Sequence, residues 1–388
     1  MMFERRLALR NLLGAAAMAT LAACAVVPKG PTTSAPPPRP TPTPNTSELP
    51  TDAQRHRIAL LVPMTGANGA VGQSIANAST MALMDTNAQN LRITTYDTAA
   101  GAGVAASRAV ADGNQLILGP LLADDIPAVA AAARSGKIPL ISFSNNESAA
   151  GRDVYVMGSL PSASVRRTVR YARGHGVTSF AALVPKGDYG ERASQTLIAE
   201  ARAAGGTIMA MESYDRSTAS ISAAATRLRA RGTFDGILIA DSGSLSARVA
   251  GLLKVRGSAT PRLLGTELWS GEKSITTTPA LSGAWFSAVS DARFPQFVSS
   301  YRTRFGAAPY RIATLGYDAV LLTLRVAREW KPGRTFPTTA LTSPDGFLGL
   351  DGAFRFDRNG VIDRALEVRE VGAGSVKVIA PAPTKFGN

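Results

Sequence analysis

The residues that most often carry chemistry in proteins do not form a catalytic set in this sequence. It contains one cysteine, Cys24, and two histidines, His56 and His175, so an intramolecular disulfide and a cysteine-based metal site are excluded. Ser270 and Lys273 have the spacing of a serine–lysine nucleophile pair, but the Lys-Thr-Gly segment that accompanies such a pair is absent. No Gly-x-x-x-x-Gly-Lys phosphate-binding loop is present either. The sequence therefore predicts a protein that is not an enzyme, with no cofactor and no metal.

The elements that must position any other site alternate between short apolar runs and segments of helical spacing. The run at 58–62 is continuously apolar, as in a strand that is buried on both faces. Repeated strand–helix alternation predicts doubly wound, mostly parallel sheets in an α/β fold. The expected strands are 58–62, 91–96, 115–118, 138–142, 180–184, 207–211, 236–240 and 262–265. The expected helices are a first one through Val71, Ile75, Ala78 and Ala82, then 104–111, 126–134, 191–204, 221–231, 245–255, 295–305 and 312–329, with a crossover near residues 158–162 between the two series. One more strand is expected past Gly283, and short β pieces from 347 to 379.

The first 24 residues have the three parts of a secretory signal, namely a positive start, a short apolar run and small residues at the end. The apolar run is too short to span a bilayer. Leu21-Ala22-Ala23-Cys24 resembles a bacterial lipobox, which implies cleavage before Cys24 and lipidation of its thiol. Ala25 follows the cysteine where an Asp would resemble a signal for retention in the inner membrane. The motif therefore favours a lipid anchor in the cell envelope, on the periplasmic face of the outer membrane.

A proline-rich segment separates this leader from the body. Residues 28–50 contain nine of the 24 prolines, mixed with Thr and Ser, and such a composition favours extended polyproline conformations over a packed core. At about 3.1 Å per residue, the segment from Cys24 to residue 52 would reach roughly 85 Å. We therefore expect a tether that holds the body away from a membrane.

The net charge of +14 favours acidic partners over basic ones. The first 23 residues contribute three Arg and one Glu, so their removal leaves +12. The basic residues are scattered, without a run of five and without interleaved aromatic residues. This pattern argues against binding to nucleic acid.

Five short segments follow one another in order across residues 56–330. They are Ile58-Ala-Leu-Leu-Val-Pro-Met-Thr-Gly66 with Gly72-Gln73, Tyr96-Asp97-Thr98, Leu118-Gly119-Pro120-Leu121 with 138–145, Val184-Pro185 with Asp188-Tyr189-Gly190, and Tyr301 with Phe305-Gly306, Pro309 and 316–319. Together they resemble the leucine-binding-protein-like, type I periplasmic-binding family. The first and third segments, with the lipobox and the tether, are most similar to its penicillin-binding-protein activator lipoproteins. Some activators carry a helical-repeat domain before this fold, whereas here the linker precedes it.

The resemblance implies two lobes, each built on a doubly wound, mostly parallel sheet, joined by three crossovers with the ligand in the cleft between them. We assign residues 1–23 to the signal peptide and 24–52 to the lipidated cysteine and the tether. The first lobe is expected to contain 56–160 plus 283–335, and the second 161–282 plus 336–380.

Open parallel sheets bind ligands beyond the carboxyl ends of their strands, so the loops after these strands face the expected cleft. The resemblance implies that hydroxyls and backbone amides of the first lobe hold a ligand carboxylate, and that an acid of the second lobe holds an ammonium group. An ordinary structural role is the alternative for each residue, since Gly, Ser and Asn are common in turns and Asp241 can cap the next helix. The candidates are Gly119, Leu121, Ser142, Ser144, Asn145, Tyr189, Asp241 and Glu267.

Two functions are compatible with these patterns. The resemblance to activators implies a non-enzymatic envelope lipoprotein that contacts a peptidoglycan synthase, that is, a penicillin-binding protein, and stimulates it. The alternative is the solute receptor of an ABC importer for leucine-like amino acids or other small polar ligands. The expected outer-membrane anchor counts against the receptor, because importers lie in the inner membrane.

Overall fold

The protein, seen here as a computed structural model, is described for residues 54–254 and 260–386. The expected lipidation at Cys24 and the tether lie outside these residues. The strands are β1 (His56–Val62), β2 (Leu91–Asp97), β3 (Leu116–Leu118), β4 (Leu140–Ser142), β5 (Val154–Val156), β6 (Ser179–Pro185), β7 (Thr207–Tyr214), β8 (Gly236–Ile239), β9 (Arg262–Leu264), β10 (Trp285–Ala288), β11 (Phe347–Gly349), β12 (Gly352–Phe356), β13 (Ile362–Arg364), β14 (Glu367–Val371) and β15 (Val376–Ala380). The helices are α1 (Gly69–Thr86), α2 (Ala102–Ala111), α3 (Ile126–Arg134), α4 (Pro161–Gly174), α5 (Asp188–Ala203), α6 (Thr218–Ala230), α7 (Gly243–Leu253), α8 (Lys273–Thr277), α9 (Phe294–Phe305) and α10 (Ala313–Ala327).

The first body is built on a five-stranded sheet in the order β2-β1-β3-β4-β5, in which all pairs are parallel. Both faces of its central strands are covered, because Ile58 and Leu60 pack with helices α1 and α10, whereas Ala59 and Leu61 pack with α2 and α3. Helices α1 and α10 approach closely at Gly316, where a Cβ atom would lie 2.6 Å from the carbonyl oxygen of Ile75.

The second body is built on a seven-stranded sheet in the order β15-β14-β10-β9-β8-β6-β7. The pairs from β7 to β10 are parallel, while β14 and β15 are antiparallel to their neighbours. Helices α4 and α5 cover one face and α6 and α7 the other. Two bodies with mostly parallel sheets confirm the predicted fold class.

The chain passes between the bodies three times, between β5 and α4, between β10 and α9, and between β13 and β14. The division differs from the predicted one at its last two crossovers. Strand β10 pairs with β9 and β14 of the second sheet, and its Phe286 is buried in that core. The small antiparallel sheet β11-β12-β13 buries Phe354, Phe356 and Ile362 in the first core. Burial of these aromatic residues therefore decides which body each segment joins.

Helix α4 and strand β5 were not among the expected elements. Val165, Val169 and Ala172 of α4 are fully buried at helical spacing, and Pro161 begins the helix, where its missing N–H costs nothing. Four arginines dominate the exposed face and dilute the hydrophobic signal. Within residues 54–254 and 260–386, no helix has both the length and the apolar character that crossing a bilayer requires.

Candidate functional site

A cavity of about 520 Å³ lies between the two bodies, beside the crossovers. The first body contributes Leu121, Leu122 and Phe143, and the second contributes Glu267 and Ser270. Its volume falls in the range of sites that bind small molecules, roughly 300–1,000 Å³. The wall is mainly apolar, with a few polar side chains, and this is the composition that such sites have.

Glu267 is the candidate acid that the structure brings onto the cavity wall. It follows β9 in a short 3₁₀ turn, and its Oε1 lies 3.0 Å from the hydroxyl of Tyr189. Its Oε2 is buried and has no hydrogen-bond partner in the protein. Burial raises the pKa of Glu267 to about 7 and outweighs the hydrogen bond from Tyr189. Near neutral pH this side chain can therefore act as a hydrogen-bond donor or as a carboxylate.

Tyr189 lies behind Glu267, and it is not among the residues that line the cavity. Its hydroxyl is 2.9 Å from the Thr266 hydroxyl as well as close to Glu267. Burial, followed by the nearby carboxylate of Glu267, raises the pKa of Tyr189 well above 10. Tyr189 therefore remains a neutral phenol that orients the Glu267 side chain.

The two candidate serines use their hydroxyls inside their own loop. Ser142 Oγ donates to the carbonyl of Pro120 at 2.8 Å and accepts the amide of Ser144 at 3.1 Å. Ser144 Oγ accepts the amide of Asn146 at 3.0 Å. Both serines are buried, and neither lines the cavity. Their geometry is that of a turn in which side-chain oxygens satisfy backbone amides.

Gly119 and Leu121, the two candidates in the loop after β3, differ in their position relative to the cavity. Leu121 lines the cavity. Gly119 lies underneath with φ +115°, and a Cβ atom at this residue would approach the carbonyl oxygen of Leu61 to 2.1 Å. Glycine is therefore required at this residue by the backbone packing, whatever binds above it.

Asn145 and Asp241 complete the set of candidates. Asn145 is exposed and lines the cavity. Asp241 is buried away from the wall, where it accepts the Tyr214 hydroxyl at 2.8 Å and the Ser242 amide at 2.7 Å. Ser242, one residue later, is the side chain that caps α7. The structure thus places three of the eight candidates, Leu121, Asn145 and Glu267, on the lining of the cavity.

Four charged residues that sequence reasoning missed form buried ion pairs beside the cavity. Arg311 and Asp351 line it and lie 2.8 Å apart, and Arg364, which also lines it, lies 3.2 Å from Asp318. Burial, and then the neighbouring carboxylate of Asp351, raise the pKa of Asp318 to about 6 despite the opposing effect of Arg364. Charged residues separated by 40 to 46 positions show no local pattern, so no signal along the sequence could have joined them.

Asp291 connects this group to the second body. It lies in the crossover between β10 and α9, 2.5 Å from Arg369 of β14 and 3.4 Å from Arg311 of the first body. Arg369 also pairs with Glu367 at 2.7 Å. The ion pairs therefore run continuously across the crossovers and fix the geometry of one side of the cavity.

In the described parts of the chain, no three His, Cys, Asp or Glu side chains are grouped so that they could hold a metal ion. Three buried polar atoms of cavity-lining residues have no hydrogen-bond partner in the protein, one in a carboxyl group and two in guanidinium groups. Such a wall can form hydrogen bonds with a ligand that fills the apolar space.

Solved structures with the same fold include binding proteins of importers. A putative branched-chain amino acid ABC transporter from Rhodospirillum rubrum is 23% identical, with a TM-score of 0.74, over 84% of this chain and all of that chain. The substrate-binding protein LivJ from Streptococcus pneumoniae, solved with isoleucine, is 19% identical, with a TM-score of 0.60, over 84% of this chain and all of that one.

Two further likenesses cover only part of the other protein. LpoA from Haemophilus influenzae is 18% identical, with a TM-score of 0.67, over 84% of this chain and 58% of its own. An uncharacterized protein of Rickettsia prowazekii is 30% identical over 142 residues, which are 36% of this chain and 38% of that protein.

The family assignment rests on the length of the match as well as on the fold. The family model described as periplasmic binding protein matches residues 56–375, which span both bodies and all three crossovers. The resemblance stated from sequence is thereby confirmed. This chain belongs to the periplasmic binding protein family.

Proposed function

We propose that this chain is a non-enzymatic lipoprotein of the cell envelope that contacts a peptidoglycan synthase and stimulates it. One observation carries the proposal: the loop hydroxyls that an amino-acid receptor would offer to its ligand are engaged within the protein. Ser142 Oγ donates to the Pro120 carbonyl and accepts the Ser144 amide, and Ser144 Oγ accepts the Asn146 amide. A buried hydroxyl that already has its partners gains little from a ligand carboxylate.

Most of the residues that face the cavity near these serines are apolar, and Asn145 is a polar exception. Leu121, Leu122 and Phe143 line it, and a carboxylate placed against them would lose its hydration without compensation. The carboxylate of a free amino acid is therefore a poor fit to these apolar loop residues. This disfavours the importer role and leaves a role through protein contact.

The similarity to LpoA and the predicted leader support the same proposal. The likeness to LpoA extends over both bodies of this chain, and the activator resemblance found in the sequence includes the lipobox and the tether. A tether of roughly 85 Å, if extended, would let an anchored body reach a partner on the other side of the wall. Anchoring also raises the effective concentration of the body near such a partner.

Direct binding to a synthase tests the proposal. The full-length chain, anchored in vesicles, would be titrated with a fluorescently labelled peptidoglycan synthase from the same organism. We expect saturable binding, and we expect the Cys24→Ser variant to bind in solution but to leave the vesicles without synthase. Absence of binding to every synthase of the organism would refute the proposal.

A second candidate function, the solute receptor, is favoured by Glu267. Its unpartnered Oε2 on the cavity wall could accept a ligand N–H or ammonium group. Selective binding to the native state raises the midpoint of thermal unfolding, so the full-length chain would be heated with each of the natural amino acids. A saturable rise with one of them would support the receptor, and unchanged midpoints would reject it for amino acids.

A further inference from the structure

The polar atoms that lack a partner are concentrated at the cavity. Among the described residues, six buried side-chain nitrogen or oxygen atoms have no hydrogen-bond partner in the protein, and three belong to residues on the cavity wall, namely Glu267 Oε2, Arg311 Nε and Arg364 Nη2. Leaving a buried polar group without a partner is costly, and native proteins rarely do so. Their position on one wall indicates a ligand that supplies the missing partners.

The chemistry of these three atoms defines what the ligand must carry. Arg311 Nε and Arg364 Nη2 are donors only, so the ligand must offer an acceptor to them. Glu267 Oε2 accepts a hydrogen bond when the group is a carboxylate and can donate one when it is protonated, and both forms are present near its pKa of about 7. An amide group carries both a carbonyl acceptor and an N–H donor.

The charges beside the cavity favour a neutral acceptor over an anion. The guanidinium group of Arg311 already pairs with Asp351, and that of Arg364 already pairs with Asp318. The pKa of Asp318 is nevertheless raised, first by burial and then by Asp351, which indicates that negative charge is poorly tolerated here. Because both guanidinium groups already have a carboxylate partner, a ligand carboxylate would lose its hydration without an unpaired cation to compensate.

The rest of the wall defines the body of the ligand. Leu121, Leu122 and Phe143 face the cavity from the loops of the first body, and Leu160 and Leu315 add to this surface. Leu122 remains 39% exposed, so a branched apolar group that covers it would remove apolar surface from water. The cavity of about 520 Å³ has room for such a group and for an amide at either end.

We propose that the cleft cavity binds an uncharged ligand that combines an amide group with a branched apolar side chain, as in a blocked apolar amino acid or short peptide. The proposal rests on the cleft being a ligand site and is independent of whether the chain stimulates a synthase. By this proposal the ligand of this cleft differs from that of LivJ, which was solved with isoleucine, a free amino acid.

Four compounds that share the leucine side chain but differ in charge test the proposal. Calorimetric titration of the full-length chain in detergent at pH 7.5 would compare N-acetyl-leucinamide, N-acetyl-leucine, leucinamide and free leucine. We expect the uncharged N-acetyl-leucinamide to bind at least about tenfold more tightly than the two compounds that carry a carboxylate. Tighter binding of leucinamide, leucine or N-acetyl-leucine than of N-acetyl-leucinamide would overturn the proposal, and so would an absence of N-acetyl-leucinamide binding. The synthase-binding titration is a separate readout, so failure of either proposal can be recognised by itself.

Two variants locate the site. Arg364→Lys keeps a positive charge beside Asp318 but removes Nη2, and we expect N-acetyl-leucinamide to bind about tenfold more weakly. Leu122→Asn adds polarity to the apolar wall and should weaken binding similarly. Its matched control is Leu252→Asn, since Leu252 of α7 is 37% exposed and lies away from the cavity. Unchanged affinity in both Arg364→Lys and Leu122→Asn would overturn the assignment of this cavity, and the second variant decides the matter if the first fails to fold.

Discussion

Replacement of Glu267 by glutamine should stabilise the protein above neutral pH and leave its stability unchanged in acid. Glu267 is held at the cavity wall with a pKa of about 7, because burial disfavours its charged form. Glutamine has the shape of the protonated acid and keeps an oxygen for the hydroxyl of Tyr189, which lies 3.0 Å from Oε1. It does not ionise, so the cost of burying a charge disappears.

The size of the effect follows from the difference between the folded and unfolded states. The pKa of Glu267 rises from the ordinary 4.5 to about 7 on folding. Between these values the folded state keeps a proton that the unfolded state has lost, so the free energy of unfolding decreases as the pH rises. At about 1.4 kcal/mol per pH unit, the full decrease is roughly 3 kcal/mol and is complete above pH 7. This is an upper limit, because the side chain is partly exposed to the cavity.

The assay is the midpoint of thermal unfolding at pH values from 4 to 8, for the wild-type chain and for Glu267→Gln. Asp318, whose pKa is also raised, to about 6, changes stability in the same direction in both proteins and therefore cancels. Glu191→Gln, at an exposed acid of α5, is the control and should follow the wild type at every pH. Equal midpoints for Glu267→Gln and wild type at pH 8 would refute the reasoning about burial.

Three further substitutions test the Ser142 hydrogen bonds, the Asp291 ion pairs and the contact between α1 and α10. Ser142→Ala removes the bonds to Pro120 and Ser144 and should lower the free energy of unfolding by about 1–3 kcal/mol in urea titrations. Ser107→Ala, at an exposed serine of α2, should not, and equal effects of the two variants would contradict the assignment of the Ser142 bonds. Asp291→Asn removes the carboxylate that pairs with both Arg369 and Arg311, and it should lower the midpoint of thermal unfolding in low salt. Asp153→Asn should lower it less, because its partner Arg152 is 97% exposed. Equal midpoints for the two variants would argue against a stabilising role of Asp291. Gly316→Ala should destabilise the contact between α1 and α10, whereas Gly251→Ala, in a helix with nothing within 4 Å, should stabilise by about 0.5–1 kcal/mol; stabilisation by both would disprove the close approach.

The repeated α/β pattern could be predicted because each strand and helix has its own hydrophobic period. Helix α3 begins and ends at the predicted residues, 126 and 134, and strand β9 differs by one residue from its prediction. The membership of β10 and of 347–364 in the two bodies could not be predicted. It depends on which core buries Phe286 and Phe354, and this is decided by pairing between segments that are distant in sequence.

Residues of the candidate site could be predicted from the sequence only where the position of a residue in a loop after a strand is enough to place it on the cavity. Glu267 and Asn145 follow strands that end at the cleft, and both line the cavity. The same rule selected Ser142 and Asp241, but their side chains turn back to Pro120 and Tyr214, because local hydrogen bonds compete with the cleft for each polar group. Arg311 and Arg364 were missed because their partners Asp351 and Asp318 are 40 and 46 residues away. Whether any candidate contacts a ligand stays a prediction.

The measurement that tests the central claim most directly is the rate at which a peptidoglycan synthase of the same organism polymerises its lipid-linked precursor in vesicles. The rate would be followed with increasing amounts of the full-length chain anchored in the same vesicles. We expect the rate to rise and to saturate at the concentration at which the two proteins bind. A rate that stays constant while the synthase is fully bound would contradict the claim that this chain is an activator.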